Sequence, residues 1–229
     1  VEEKGPIRSH LVKQDQDLVA FYLESVGNGG RTQSLLGSTQ GIGLHDCMID
    51  AYVLVSQVYR QGDKIWLFGF SRGAWAARSL GAFIARTGLI ADVDATENGA
   101  ADLAEKIWLD YKEDRGKKRG GRFWRHHDET PIRLIGVFDT VGEFGVPEFN
   151  GLRMADRDEL RFLKFADRDL SKRVENGRQA LAIDERRADF MPTLWTEREG
   201  IRQVWFAGAH ADIGGGYEER GLSDIALQW

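Results

Sequence analysis

The sequence predicts an α/β fold, a mostly parallel sheet covered by helices. Two observations carry that prediction. Apolar runs alternate with amphipathic helical patterns along the chain. The runs at 18–23, 65–70, 132–138 and 204–207 are nearly continuously apolar, as expected of strands covered on both faces of a parallel sheet.

Taken in order, the run at 18–23 is the first strand. Met48, Ala51, Tyr52, Val55, Val58 and Tyr59 then recur at helical spacing and form one apolar face. Gln61-Gly62-Asp63 turns the chain into the strand at 65–70. Residues 74–87, rich in Ala and Leu, read as a helix, with Gly88 at its C-terminal cap. A further helix over 101–111 turns Leu103, Ala104, Ile107, Trp108 and Tyr111 to one side. A basic, glycine-broken loop follows, with Arg115, Lys117, Lys118, Arg119, Arg122 and Arg125. The stretches 91–130 and 150–190 fit the sheet poorly and read as lid-like insertions on a single domain spanning 1–229. The chain begins without Met and stops inside a helical pattern at 223–229, so the domain is expected to be incomplete at both ends.

Composition narrows the function. An apolar fraction of 42% supports a sizeable core. A net charge of −5 and a pI near 5.6 disfavour nucleic acid as a partner. The single cysteine, Cys47, excludes an internal disulfide framework and a multi-cysteine metal site, and reads as a small buried filler. No apolar run approaches the ~20 residues that span a bilayer, and no signal peptide opens the chain, so a soluble protein is expected.

The sharpest motif is Gly69-Phe70-Ser71-Arg72-Gly73, set between a strand signal and a helix signal. That is the context of a nucleophile elbow, where a tight turn lifts a serine hydroxyl above the sheet edge. Glycines flanking the turn allow close backbone approach. The backbone N–H of Arg72, at a helix N-terminus, is the expected oxyanion donor. A serine needs a base. Of the five histidines, His210 alone follows a core-strand run, and it leads into the glycine-dense loop that contains Asp212 and Gly214. Asp139 ends the run at 132–138 and is the expected acid, with Asp212 and Asp184 as rivals. Asp212 lies too close to His210 in sequence and is expected to support its loop; Asp184 is expected in a structural ion pair. Ser71, Asp139 and His210 thus each follow a separate strand, in the chain order of α/β-hydrolases. Such chemistry requires no metal and no organic cofactor.

The motifs around Ser71, Asp139 and His210, with Ala182-Ile183-Asp184-Glu185-Arg186-Arg187 and the closing Gly221-Leu222-Ser223-Asp224-Ile225-Ala226-Leu227, resemble domain-of-unknown-function family 2235. The resemblance runs from about Leu18 to Trp229. The family's Asp-Gly-Thr loop after its first strand has no match in this chain. The resemblance implies an α/β-hydrolase-like fold, a Ser71–Asp139–His210 triad, and kinship with antibacterial phospholipase effectors of type VI secretion. It also implies synthesis in the cytoplasm, delivery to a target cell, and secretion-machinery or immunity-protein partners.

The expected activity is therefore cleavage of carboxylic esters through an acyl-enzyme, on a lipid or small ester substrate, with transient contact to a membrane surface. The alternative is a non-catalytic binding module on a hydrolase scaffold, using the basic, aromatic 115–127 stretch as its contact. Both insertions are expected beside the strand ends that carry the triad. Trp108, Tyr111, Phe123, Trp124, Phe162 and Phe165 would then line an acyl groove, with Lys117, Lys118, Arg119 and Arg122 at its mouth.

Overall fold

A computed structural model of the chain describes residues 9–14, 18–23, 42–91, 97–113, 125–127, 129–141 and 169–229. Its centre is a four-stranded parallel sheet in the order β3-β6-β7-β8, formed by Ile65–Phe70, Ile132–Phe138, Gly177–Ala182 and Ile201–Phe206. Two antiparallel pairs stand apart from it. One joins β1 (Ser9–Gln14) to β2 (Val19–Leu23); the other joins β4 (Leu89–Ile90) to β5 (His126–His127). The helices are α1 (Ile42–Val58), α2 (Arg72–Thr87), α3 (Glu97–Glu113), the short α4 (His210–Gly214) and α5 (Gly221–Gln228).

The alternation of β3 decides which side is filled. Ile65 and Leu67 face the helices and are buried, whereas Trp66 and Phe68 face away and are 52% and 62% exposed. On the filled side, α1, α2 and α3 bring Met48, Tyr52, Phe83, Ile84, Ile107 and Trp108 into one core with Leu67 and Ile135. Each such side chain, fully buried, contributes roughly 1.5–3 kcal/mol. A Cβ at Gly81 would collide with Ile135, so α2 lies directly against β6 there. On the other side, Ile213 and Ala226 from α4 and α5 cover only the C-terminal part of the sheet, against Ala180, Ala182, Phe138 and Phe206.

Three expectations change. The run at 18–23 is a strand, but it pairs with β1 and not with the central sheet. The stretch 150–190 is not wholly an insertion, because it holds β7, a strand between β6 and β8. The described roots of 91–130 do not lie beside the C-terminal strand ends. Leu89–Ile90 pairs with His126–His127, and the Ala91 N–H donates to the Arg125 carbonyl at 3.0 Å. Both roots of the stretch therefore sit where β6 begins, at the opposite edge from Ser71. Trp108 in α3 is 1% exposed and packs edge-on against Phe83, so it is core and does not face a lipid. Phe123, Trp124, Phe162, Phe165 and the cations Lys117, Lys118, Arg119 and Arg122 lie outside the described residues. Cys47 is partly buried, and burial, then the neighbouring Asp50 charge, pushes its thiol up to about 11, as suits an inert filler.

Candidate active site

Three strand ends build the site. β3 passes into α2 through Ser71, which takes φ 57° and ψ −121°, a left-handed conformation that L side chains rarely adopt. Two contacts hold it there. The Ser71 N–H donates to the Phe138 carbonyl of β6 at 3.0 Å, and the Ser71 carbonyl accepts from Trp75 N–H at 3.3 Å. A Cβ at position 69 would overlap the Gly73 carbonyl, whereas one at position 73 would meet nothing within 4 Å. The first glycine of the motif is therefore required sterically and the second is not. Ser71 occupies the N-cap of α2 but makes no side-chain cap bond. Its hydroxyl lies instead 2.8 Å from Nε2 of His210.

Asp139 follows β6 with φ 41°. Its N–H donates to the Ala180 carbonyl at 2.7 Å, and its Oδ1 accepts from the Ala182 N–H at 3.0 Å, both on β7. Its other oxygen, Oδ2, is 2.7 Å from Nδ1 of His210. Asp139 is 1% exposed and His210 7%, so the pair is shielded from water. The imidazole is held between two rings: Phe70 at 4.5 Å, tilted, and Phe190 at 4.8 Å, edge-on. A Cβ at Gly214 would strike the Phe70 ring, so this glycine, the last residue of α4, lets α4 close on β3.

The rest of the support comes from carboxylates. After β8, three consecutive backbone N–H groups each donate to one: Gly208 to Asp184 at 2.8 Å, Ala209 to Asp212 at 2.8 Å, and His210 to Glu185 at 3.3 Å. Neither rival acid is bonded to the imidazole, which Asp139 takes. Asp212 does support the loop. The local ion pair belongs to Glu185 and not to Asp184: Nε and Nη2 of Arg187 donate to Glu185 at 2.8 and 2.7 Å. The Arg187 hydrogen bond is the largest influence on Glu185 and holds its carboxyl down to about 2, although burial opposes it. Glu185, Phe70 and Phe190 were not singled out from sequence. The one available signal was the Asp184-Glu185-Arg186-Arg187 charge cluster directly after a short apolar run.

A second buried network fixes the peptide beyond Asp139. Arg78 of α2, 1% exposed, donates to Gln179 Oε1 at 2.8 Å and to the Thr193 carbonyl at 2.6 Å, with Trp195 beneath its guanidinium at 4.5 Å. Thr193 N–H donates to the Thr140 carbonyl at 3.3 Å. Among the described residues the group with metal-ligand geometry is His45, Asp46 and Glu105, between α1 and α3, and it shares no residue with this site. The open clefts lined by Gln61, Glu129 and Arg173, and by Lys172, Asn176 and Gly200, lie at the other end of the strands.

Chemically, the chain of contacts from Ser71 Oγ through the imidazole to a buried carboxylate can move a proton off the hydroxyl and stabilise the resulting imidazolium. Arg72 is the first residue of α2, so its N–H has no intrahelical acceptor and faces the end where the helix dipole favours negative charge.

Residues 7–229 match the family model described as "T6SS, Phospholipase effector Tle1-like, catalytic domain". Uncharacterized protein YEL023C of Saccharomyces cerevisiae is 28% identical over 187 residues, covering 76% of this chain and 24% of that protein. The structure of the Tle1 effector bound to the VgrG spike of the type VI secretion system aligns at TM-score 0.43 and 22% identity, over 86% of this chain and 34% of that one. A crystal structure of an uncharacterized protein from Pseudomonas aeruginosa aligns at TM-score 0.39 and 18% identity, over 82% and 26%. The chain thus spans about a quarter of the length of the curated relative that it matches.

Proposed function

From the premise that the chain belongs to the family of Tle1-like phospholipase effector catalytic domains of type VI secretion, we propose that it is a serine hydrolase cleaving acyl esters of phospholipids, with Ser71 as nucleophile, His210 as base and Asp139 as acid. The observation that carries this reading is the unbroken Ser71–His210–Asp139 contact chain, 2.8 and 2.7 Å, at the C-terminal edge of a parallel sheet.

Ser71 Oγ attacks the acyl carbonyl carbon as its proton passes to His210 Nε2. Asp139 keeps Nδ1 protonated and balances the imidazolium. The carbonyl oxygen becomes an oxyanion beside the Arg72 N–H. Collapse breaks the ester C–O bond, and His210 returns the proton to the departing glycerol oxygen, leaving an acyl-serine. Water then attacks the acyl group, gives a proton to His210, and releases the fatty acid with Ser71 restored. No step calls on a metal. Delivery through type VI secretion, with secretion-machinery and immunity-protein partners, is the setting that family membership makes natural for such an activity. No described helix is long and apolar enough to cross a membrane.

The test is labelling with a fluorophosphonate, which reacts only with an activated serine. Wild type should be labelled and should release fatty acid from phospholipid micelles, and Ser71→Ala should do neither while melting at the same temperature. A Ser71→Ala protein that hydrolyses normally overturns the assignment. A folded wild type that is never labelled favours a non-catalytic scaffold.

A further inference from the structure

A triad accounts for ester cleavage but not for the choice of a phosphate-bearing lipid over any other ester. Beside the imidazole stands a cation with no part in the proton chain. The guanidinium of Arg187 lies 3.6 Å over the Phe190 ring, and that ring meets His210 edge-on at 4.8 Å. The guanidinium is therefore no farther from the imidazole than those two spacings in series. Its side chain is 57% exposed, whereas its partner Glu185 is 7% exposed.

The hydrogen bonding of Arg187 is lopsided. Of the five N–H donors on a guanidinium, Glu185 takes one on Nε and one on Nη2. Three N–H groups remain, two of them on Nη1. Two links fix where they stand. Glu185 also accepts the His210 backbone N–H at 3.3 Å, and Phe190 touches both the guanidinium and the imidazole. The remaining donors are thus held in register with the reacting centre through rigid contacts, a preorganisation that a surface ion pair does not need.

We infer that Arg187 is a specificity-determining residue that receives the phosphodiester of the substrate through its free N–H groups while the acyl carbonyl sits at Ser71. In a glycerophospholipid the phosphorus and the acyl carbonyl carbon of the middle ester are separated by five covalent bonds, a span that fits a cation one aromatic ring away from the base. A planar guanidinium matches phosphate oxygens in pairs, which an ammonium does not. This inference rests on the serine-hydrolase reading above and adds the headgroup chemistry to it.

The experiment compares a diacyl phospholipid with the diacylglycerol of the same acyl chains, in matched detergent micelles, for wild type, Arg187→Gln and Arg187→Lys. The phosphodiester headgroup is the difference between the substrates. Arg187→Gln should lower the preference for phospholipid by about ten- to a hundredfold, the worth of a charge-assisted hydrogen bond, chiefly through KM. Arg187→Lys, which keeps the charge and loses the fork, should fall between, and it serves as the reading if the Gln variant does not fold. An equal loss on both lipids by a folded variant overturns the inference and leaves Arg187 as a positioning residue for His210. A wild type that cleaves neither lipid overturns the hydrolase reading and the arginine's role with it, a result distinct from cleavage of both lipids with unchanged preference in the variants, which overturns the arginine alone.

Discussion

Replacing Asp139 by Asn isolates the role of one oxygen. The carboxylate makes two different bonds: Oδ1 accepts from the Ala182 N–H at 3.0 Å, and Oδ2 faces Nδ1 of His210 at 2.7 Å. An Asn has one acceptor and one donor to offer. If its carbonyl stays on Ala182, its NH₂ points at Nδ1, which must then accept. The imidazole proton moves to Nε2, and Nε2 can no longer take the proton of Ser71. If the amide flips, NH₂ confronts the buried Ala182 N–H and two donors face each other. The first arrangement is the lower in energy, so the variant holds the wrong tautomer. The backbone is undisturbed, because Asn tolerates a φ of 41° as well as Asp does. A buried acid replaced in this way in a Ser-His-Asp site lowers kcat by about 10⁴-fold, or about 5.5 kcal/mol at ~1.4 kcal/mol per decade. That is less than the loss expected from removing Ser71 or His210. The assay is kcat on a soluble short-chain ester, with a thermal melt on the same sample. A folded Asp139→Asn protein within tenfold of wild type would refute the tautomer argument and the assignment of the acid.

Other expectations follow from the geometry of the same site. Gly69→Ala should disrupt the elbow, costing about 1–3 kcal/mol in a melt together with most activity, while Gly73→Ala should be tolerated within about 1 kcal/mol; the reverse order would show that the turn is built differently. Asp212→Asn keeps an acceptor for the Ala209 N–H and should reduce activity far less than Asp139→Asn, as steady-state kinetics on both variants would record. Glu185 is held below its ordinary value in the folded chain. Its support for the His210 loop is therefore full above about 4.5 and is lost as pH falls toward about 2. Acid unfolding followed by tryptophan fluorescence should lose part of its dependence on pH within that window in Glu185→Gln, and an identical acid limb in both proteins would contradict this.

The sequence was legible where one physical signal sufficed. β3 and β6 fall on Ile65–Phe70 and Ile132–Phe138 as expected, because continuous apolar runs bounded by turns have few other solutions. The residues after those strands and after β8 come together because parallel strands deliver their C-terminal ends to one edge. β7 escaped notice because its buried positions include Gly177 and Gln179, neither of which reads as core. Gln179 tolerates burial only because Arg78, Thr140 and Thr193 surround it, and those partners lie far away in sequence. The run at 18–23 misled for the opposite reason: an apolar strand does not say which strand it will pair with. The carboxylates that pin the His210 loop were visible only as a charge cluster, since a hydrogen bond to a backbone N–H leaves no pattern in the side chains.

The place of β7 has a consequence for how the molecule comes alive. Asp139 can take up its bonded position only when Ala180 and Ala182 are beside it, and Gln179 meets Arg78 across 101 residues of chain. Contacts that close such long loops form late and slowly during folding. A chain whose helices have already formed would still lack both an oriented acid and a base at Ser71, since His210 meets Ser71 across 139 residues. During refolding, recovery of turnover should therefore lag behind recovery of helical signal. That delay would keep the nascent polypeptide chemically silent until β7 has slotted into place between β6 and β8.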